Sequence, residues 1–205
     1  MSPIDTVVFD LGGVLVDWNP RYLFRKVFPD ANEMELFLTT VTTQEWNEKQ
    51  DAGRPWSVAL EELIRLHPNY ETEIRTYHRR WPEMMAGAIP GTGEIIREIK
   101  TLGRHGLFAL SNWSSETFEH AKARFPELKL FDSIVLSGDE KMIKPDPRFF
   151  RLLESRHRVV PSRTIFIDDV EKNIIAARAL GYHTHHFKSA ESLRSDLAAR
   201  EILPR

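Results

Sequence analysis

Five short apolar runs, separated by amphipathic helical patterns, constrain the fold more than any other feature of this sequence. They are rich in β-branched and aromatic side chains and cover residues 4–9, 106–110, 133–136, 164–167 and, more weakly, 182–187. Strands that are apolar on both sides are typical of a sheet covered on both faces, and such sheets are parallel and connected through helices. The sequence therefore predicts an α/β fold with a parallel sheet and helices on both faces.

A long helical stretch interrupts this alternation. Residues 18–85 contain no strand-like run but several amphipathic patterns, so we predict a helical insertion there and a sheet domain formed by residues 1–17 and 86–205. Four of the five tryptophans lie in the insertion, namely Trp18, Trp46, Trp56 and Trp81. They form either the insertion's own core or part of the lining of a cleft between the insertion and the sheet.

The composition argues against several classes of function. The 205 residues carry a formal net charge of -2 and include no cysteine. A nearly balanced charge does not attract nucleic acid or an anionic membrane, and without cysteine there are no disulfides, thiolate metal sites or cysteine nucleophiles. There is no apolar run long enough to span a bilayer and no signal peptide pattern. We expect a soluble, unprocessed cytoplasmic protein that acts on a small molecule, and its oligomeric state is left open.

Polar residues follow the predicted strands, at or shortly after the point where each one ends. These residues are Asp10, Ser111, Asn112, Lys144, Asp168 and Asp169. Taken singly, each has an ordinary interpretation as a turn residue, a helix cap or surface charge. In a parallel sheet, however, the carboxyl ends of the strands lie along one edge, where open α/β proteins bind ligands. We therefore predict that these side chains meet in one crevice.

The charges of this group predict its ligand. Three carboxylates and one lysine sum to about -2, and carboxylates crowded in this way call for a cation. Oxygen ligands without cysteine suit Mg²⁺, which in turn favours sites that also hold a phosphate. Hydroxyl, amide and ammonium groups then bind the phosphoryl oxygens, and a neighbouring carboxylate can attack phosphorus to give an aspartyl phosphate. The residues thus indicate Mg²⁺-assisted phosphoryl chemistry.

Four segments, in this order, resemble the motifs of the haloacid dehalogenase superfamily. They are "FDLGGVLVD" (9–17), "LSN" (110–112), "SGDEKMIKPDPRFF" (137–150) and "FIDDVEKNIIAARALG" (166–181). The resemblance covers essentially the whole chain, and the last two segments are the most specific. It implies a Rossmann-like core with an α-helical cap inserted after the first motif, in agreement with the insertion predicted above.

The resemblance also implies roles for individual residues. Asp10 becomes the nucleophile and a Mg²⁺ ligand, and the backbone carbonyl of Gly12 offers a further metal ligand. Asp168 and Asp169 hold the metal. Ser111 and Asn112 bind the phosphoryl group, and Lys144 also binds it and balances its charge. The resulting hypothesis is a Mg²⁺-dependent phosphatase of small phosphorylated metabolites, with sugar phosphates as candidates.

Gly12 is where the chain departs from the family. Typical phosphatases of the superfamily have an aspartate there, which protonates the leaving oxygen and then activates water, a contribution of about 10² to 10⁴ in rate. The chain shares Asp-Leu-Gly with a bacterial branch of sugar-1-phosphate phosphatases. We hypothesise either that leaving groups needing little protonation, such as anomeric or aryl phosphates, are preferred, or that a cap residue or water supplies the proton. Asp17 is a weaker candidate for that replacement.

Two other functions stay open at this point. One is a metal-independent 2-haloacid dehalogenase, whose relatives generally have serine and asparagine where this chain has Asp168 and Asp169. The other is a weakly catalytic protein that binds a phosphorylated ligand. Among secondary candidates, Asn173 lies either in the acidic network or on a helix surface. The histidines of residues 183–186 fall on two sides of a strand, which favours a surface role over metal binding.

Overall fold

A parallel five-stranded sheet forms the centre of the molecule. The structure, a computed structural model, describes residues 3–204. Its strands in chain order are β1 (Thr6–Phe9), β2 (Val16–Trp18), β3 (Met85–Ala88), β4 (Gly106–Ser111), β5 (Ser133–Leu136), β6 (Thr164–Asp168) and β7 (His183–His186). The sheet has the order β5-β4-β1-β6-β7 with every neighbouring pair parallel. All five predicted strands are present, and β1 lies in the middle between β4 and β6.

Helices cover both faces of this sheet. In chain order they are α1 (Arg21–Phe24), α2 (Ala31–Thr40), α3 (Gln44–Asp51), α4 (Trp56–Leu66), α5 (Glu71–Arg79), α6 (Thr92–Leu102), α7 (Ser115–Arg124), α8 (Ser137–Glu140), α9 (Pro147–His157), α10 (Glu171–Ala179) and α11 (Ala190–Ala199). Short 3-10 turns occupy Pro68–Tyr70, Trp81–Met84, Pro126–Leu130 and Pro161–Arg163. None of the helices in the described part of the chain is long and apolar enough to cross a bilayer.

The alternation of side chains along β1 explains the two apolar layers. Val7 and Phe9 point into one layer together with apolar side chains of α6 and α11, while Val8 points into the other with those of α9 and α10. All three side chains are fully buried, as expected for a central strand whose successive residues face opposite sides. The prediction of an α/β, Rossmann-like fold with helices on both faces is confirmed.

Helices α1 to α5 lie between β2 and β3, in residues 19–84, which we call the helical segment. Its aromatic centre brings Trp46, Trp56 and Tyr77 together, with ring centroids 5.3 to 5.7 Å apart. These side chains belong to the same continuous apolar cluster as the α6 and α11 face of the sheet. The division into a sheet domain (1–17 and 86–205) and a cap (18–85) follows this path of the chain and stays a prediction.

A second, two-stranded sheet was not predicted from the sequence. Strands β2 and β3 pair antiparallel, with Val16 opposite Ala88 and Asp17 opposite Gly87. With only three and four residues, these strands are too short to show a readable alternation of side chains. They tie the two ends of the helical segment together next to β1.

Candidate active site

The ends of the strands do meet, because β1 lies between β4 and β6. Asp10 directly follows β1, Ser111 is the last residue of β4, and Asp168 is the last residue of β6. Asp169 follows Asp168, and Lys144 reaches the same place from the loop between α8 and α9. The structure therefore brings together the residues that the sequence places at the ends of separate strands.

Lys144 is the centre of this cluster. Its side chain is completely buried, and its ammonium nitrogen lies 2.9 Å from Asp10 Oδ2 and 2.7 Å from Asp168 Oδ2. Burial works against the charge, but the two carboxylates outweigh it and raise the pKa of Lys144. An ammonium group has three N–H donors, so two contacts leave the third for another acceptor. Lys144 is thus a fixed positive charge between two acids.

The other oxygen of Asp10 is held equally firmly. Asp10 Oδ1 accepts hydrogen bonds from the hydroxyl of Ser111 at 2.9 Å and from the amide of Leu11 at 2.6 Å. Burial raises the pKa of Asp10 to about 7; Lys144 acts in the opposite direction, and the neighbouring Asp168 and Asp169 add to the rise. The cluster therefore contains more negative charge than Lys144 alone balances.

This excess charge fits a divalent cation. Asp10, Asp168 and Asp169 each place one carboxylate oxygen within 4.8 Å of the others. Burial, followed by the charge of Asp168, raises the pKa of Asp169. Within residues 3–204 no N–H donates to the carbonyl oxygen of Gly12, since the bridge with Val16 uses Leu11 and Gly13 instead. Carboxylate oxygens and a free backbone carbonyl are oxygen ligands of the kind that Mg²⁺ takes.

Asn112 has a role in this structure that the sequence does not reveal. Its amide group donates to the carbonyl of Lys144 at 3.0 Å and accepts from the amide of Lys144 at 2.8 Å. Both ends of the side chain thus fix the backbone that carries the buried ammonium. The contact of Asn112 with a phosphoryl group stays a prediction.

Two further residues support the acids from outside. Asn173 is buried and donates to both carboxylate oxygens of Asp168 at 3.1 Å, whereas its own Oδ1 has no partner. It belongs to the acidic network rather than to the helix surface. The histidines of β7 bind three different groups, Ser162 O, Asp196 and Asp169 O. Only His186 reaches the site, through the backbone of Asp169.

A cavity of about 960 Å³ opens above the cluster, between the sheet and the helical segment. Asp10, Gly12, Asn112 and Asp169 line its floor, and residues of α2, α3 and α5 line the opposite side. Trp18, Trp81 and Trp113 line it as well, with ring centroids 6.4 and 5.6 Å apart in succession, and we call them the aromatic wall. Of the four tryptophans considered from sequence, Trp18 and Trp81 line the cleft, while Trp46 and Trp56 pack inside the helical segment.

Asp51, the last residue of α3, also lines this cavity. Its carboxylate accepts hydrogen bonds from the amide of Ser114 and from the side chain of Asn47, both at 3.1 Å. Sequence reasoning missed Asp51, because nothing in the surrounding "QDAG" distinguishes it from the other acids of the helical segment. Its place in the site depends on how α3 docks onto the loop after β4.

Comparisons with known proteins show what this chain is similar to. The family model of the haloacid dehalogenase-like hydrolases matches residues 4–181. The sesquiterpene phosphatase astK of Aspergillus oryzae is 26% identical, over 96% of this chain and 95% of its own. The phosphorylated carbohydrates phosphatase of Thermotoga maritima is 25% identical, over 87% of this chain and 82% of its own.

A solved structure shows the same fold. The wild-type HAD family enzyme BT-2542 of Bacteroides thetaiotaomicron, crystallised with magnesium and inorganic phosphate, superimposes with a TM-score of 0.66 at 21% identity. The match covers 91% of this chain and 95% of that one. With the family model matching most of its length, this chain belongs to the haloacid dehalogenase-like hydrolases.

Proposed function

We propose that this chain is a Mg²⁺-dependent phosphatase that hydrolyses small phosphorylated metabolites, with sugar phosphates among its substrates. The observation that carries the proposal is the cluster of Asp10, Asp168 and Asp169, in which Lys144 pairs with the first two. Asp10 and Asp169 lie at the floor of a large cavity. The named phosphatases among the relatives, and the magnesium and phosphate bound by the Bacteroides enzyme, support it. The aromatic wall supports a leaving group with a ring or another apolar face.

In this proposal Asp10 is the nucleophile. One of its carboxylate oxygens bonds to phosphorus while the bond from phosphorus to the leaving oxygen breaks, which gives an aspartyl phosphate. The free N–H of Lys144 donates to a phosphoryl oxygen, and the hydroxyl of Ser111 does the same by turning its single O–H from Asp10 to the substrate. A water molecule then attacks phosphorus, releases inorganic phosphate and restores the Asp10 carboxylate. Asn112 positions Lys144 and contacts the phosphoryl group.

The metal ligands proposed are Asp10, Asp168, Asp169 and the carbonyl of Gly12. Magnesium held by these ligands would supply positive charge to the phosphoryl oxygens. Asn173 and Lys144 hold the carboxylate of Asp168 in position, and such outer contacts commonly tune metal affinity about 10- to 100-fold.

Release of inorganic phosphate from a panel of sugar, alkyl and aryl phosphates, with and without Mg²⁺, tests the function directly. We expect phosphate release that depends on the metal. Halide release from short 2-haloacids is measured beside it, because a metal-independent dehalogenase would give halide and no phosphate. If neither product appears while a phosphate ester binds, the chain is a binding protein and the proposal is wrong.

Two adjacent glycines provide a matched test of the metal site. Gly13 has a left-handed backbone (φ 69°), and a Cβ there would lie 2.2 Å from Asp169 Oδ2, whereas a Cβ at Gly12 would meet no atom within 4 Å. We expect Gly13→Ala to displace the Asp169 carboxylate and weaken Mg²⁺ binding by about tenfold or more. Gly12→Ala keeps its carbonyl and should bind Mg²⁺ like the wild type.

Titration calorimetry with Mg²⁺ on both glycine variants decides this prediction. Thermal melts in the absence of the metal show whether Gly13→Ala also affects the fold, since a strained left-handed alanine costs about 1 kcal/mol by itself. If Gly12→Ala and Gly13→Ala bind Mg²⁺ with equal affinity, Asp169 is not a ligand of the metal.

A further inference from the structure

The proposed reaction lacks one group, a donor for the proton that the leaving oxygen needs. The three acids of the cluster are already occupied, since Asp10 and Asp168 bind Lys144 and all three form the candidate metal site. The helical segment contributes the other acids that line the cavity, Glu45, Glu48 and Asp51. Of these, Glu45 is exposed and Glu48 lies 3.2 Å from the ammonium of Lys172.

Asp51 differs from these acids in its position. The amide of Ser114 donates to its carboxylate, and the hydroxyl of Ser137 donates to its backbone carbonyl. Both contacts fasten the end of α3 to the carboxyl edge of the sheet, one to the loop after β4 and one to the start of α8 after β5. Ser114 lies three residues after Ser111, whose hydroxyl binds Asp10 at 2.9 Å. Asp51 therefore lines the same cavity as the nucleophile Asp10, from the helical segment.

The surroundings of Asp51 favour its neutral form. Burial raises the pKa of Asp51 to about 8; the amide of Ser114 acts against this rise, and the charges of Glu48 on α3 and Asp10 after β1 add to it. From α5, the buried hydroxyl of Tyr77 reaches Asn47, which donates to Asp51. At neutral pH this side chain is therefore a carboxylic acid with a proton to give.

We propose that Asp51 is the general acid and base of this active site. As Asp10 bonds to phosphorus and the leaving oxygen departs, Asp51 gives its proton to that oxygen and becomes a carboxylate. It then takes a proton from the water whose oxygen attacks phosphorus, so that phosphate leaves and Asp51 is a carboxylic acid again. This inference rests on the proposed phosphatase function and supplies, from the helical segment, the proton transfer that Gly12 cannot perform.

The carboxylate of Asp17, the other candidate for this role, is hydrogen-bonded to a residue outside the cavity lining. The hydroxyl of Tyr22 donates to both of its carboxylate oxygens, at 3.0 and 2.9 Å, and Asp17 is not among the residues that line the cavity. It is therefore a suitable control, because Asp17→Asn makes the same chemical change at the last residue of the first motif, outside the lining of the cavity.

The test compares leaving groups of different basicity. In full-length Asp51→Asn with Mg²⁺ at pH 7, kcat/KM for an alkyl phosphate such as glycerol phosphate is expected to fall by about 10² to 10³, because an alkoxide cannot leave without a proton. For p-nitrophenyl phosphate, whose leaving group is stable as an anion, we expect a loss of about tenfold or less. Asp17→Asn should leave the ratio of the two substrates unchanged.

Equal losses for both substrates, or no loss, would overturn the role of Asp51, since a residue that only positions the helical segment affects all leaving groups alike. If Asp51→Asn does not fold, the pH dependence of the wild type tests the role of Asp51 instead. Its ratio of alkyl to p-nitrophenyl activity should fall as the pH rises through about 8, and a constant ratio would contradict the proposal. A wild type without Mg²⁺-dependent phosphate release would instead refute the phosphatase function itself.

Discussion

Asp10→Asn is expected to lower the rate of Mg²⁺-dependent phosphate release by about 10⁴-fold or more. The substitution replaces the attacking carboxylate oxygen by an amide, which is not a nucleophile at neutral pH, and it removes one negative charge from the metal cluster. Steady-state release of inorganic phosphate measures the loss. Wild-type protein quenched in acid during turnover should carry one phosphoryl group on the peptide containing Asp10, and the variant should carry none.

The fold is expected to survive this substitution. The amide oxygen of asparagine can still accept the hydrogen bonds that Ser111 and Leu11 give to Asp10 Oδ1. Asp5→Asn is the matched control and should keep full activity. It makes the same change at a half-exposed residue just before β1, whose carboxylate pairs with Arg163. If Asp10→Asn retained more than about 1% of wild-type activity, another residue would have to be the nucleophile.

The sequence was sufficient to predict the sheet and much of the candidate site for a physical reason. Parallel strands buried on both faces leave runs of apolar residues, and the carboxyl ends of such strands meet at one edge. Asp10, Ser111 and Asp168 could therefore be placed in one crevice although more than 150 residues separate the first from the last. Their spacing along the chain carries no such information by itself.

The parts of the site that could not be predicted depend on docking between distant segments. Asp51 reaches the cavity because its carboxylate binds the amide of Ser114, 63 residues away in the chain. The fixed orientation of Asn112 likewise depends on the backbone of Lys144, 32 residues away. Neither contact has a periodic or compositional signal, since each involves one polar side chain and one backbone group.

Gly12 and Gly13 show how the structure refines a sequence observation. In the sequence both look like turn glycines, and only Gly12 draws attention as a departure from the family. The structure shows that Gly13 needs to be glycine, since a side chain there would collide with Asp169, whereas Gly12 has space for one. Packing therefore does not explain why position 12 lacks an acid. The proposed reaction then needs its proton donor from elsewhere in the cavity.

Of the substitutions considered, Lys144→Met is expected to lower the free energy of unfolding most. The side chain is completely buried, and its loss leaves the carboxylates of Asp10 and Asp168 without their positive partner. Removing one partner of a buried ion pair costs about 3 to 5 kcal/mol, because the remaining charge stays desolvated. Methionine fills a similar volume, so the loss arises from charge rather than from a cavity. Urea unfolding without metal measures it as a decrease in the free energy of unfolding.

The pH and metal dependence of this loss identify its cause. In Lys144→Met the folded protein relieves the repulsion by binding protons at its acids more tightly than the unfolded chain does, so its stability falls as the pH rises. The deficit relative to wild type should therefore be larger at pH 8 than at pH 5, and Mg²⁺ should reduce it by replacing the missing positive charge. Lys172→Met, which removes a half-exposed ammonium paired with Glu48, should cost less than about 1 kcal/mol. A deficit that is the same at both pH values and insensitive to Mg²⁺ would mean that Lys144 contributes packing rather than charge.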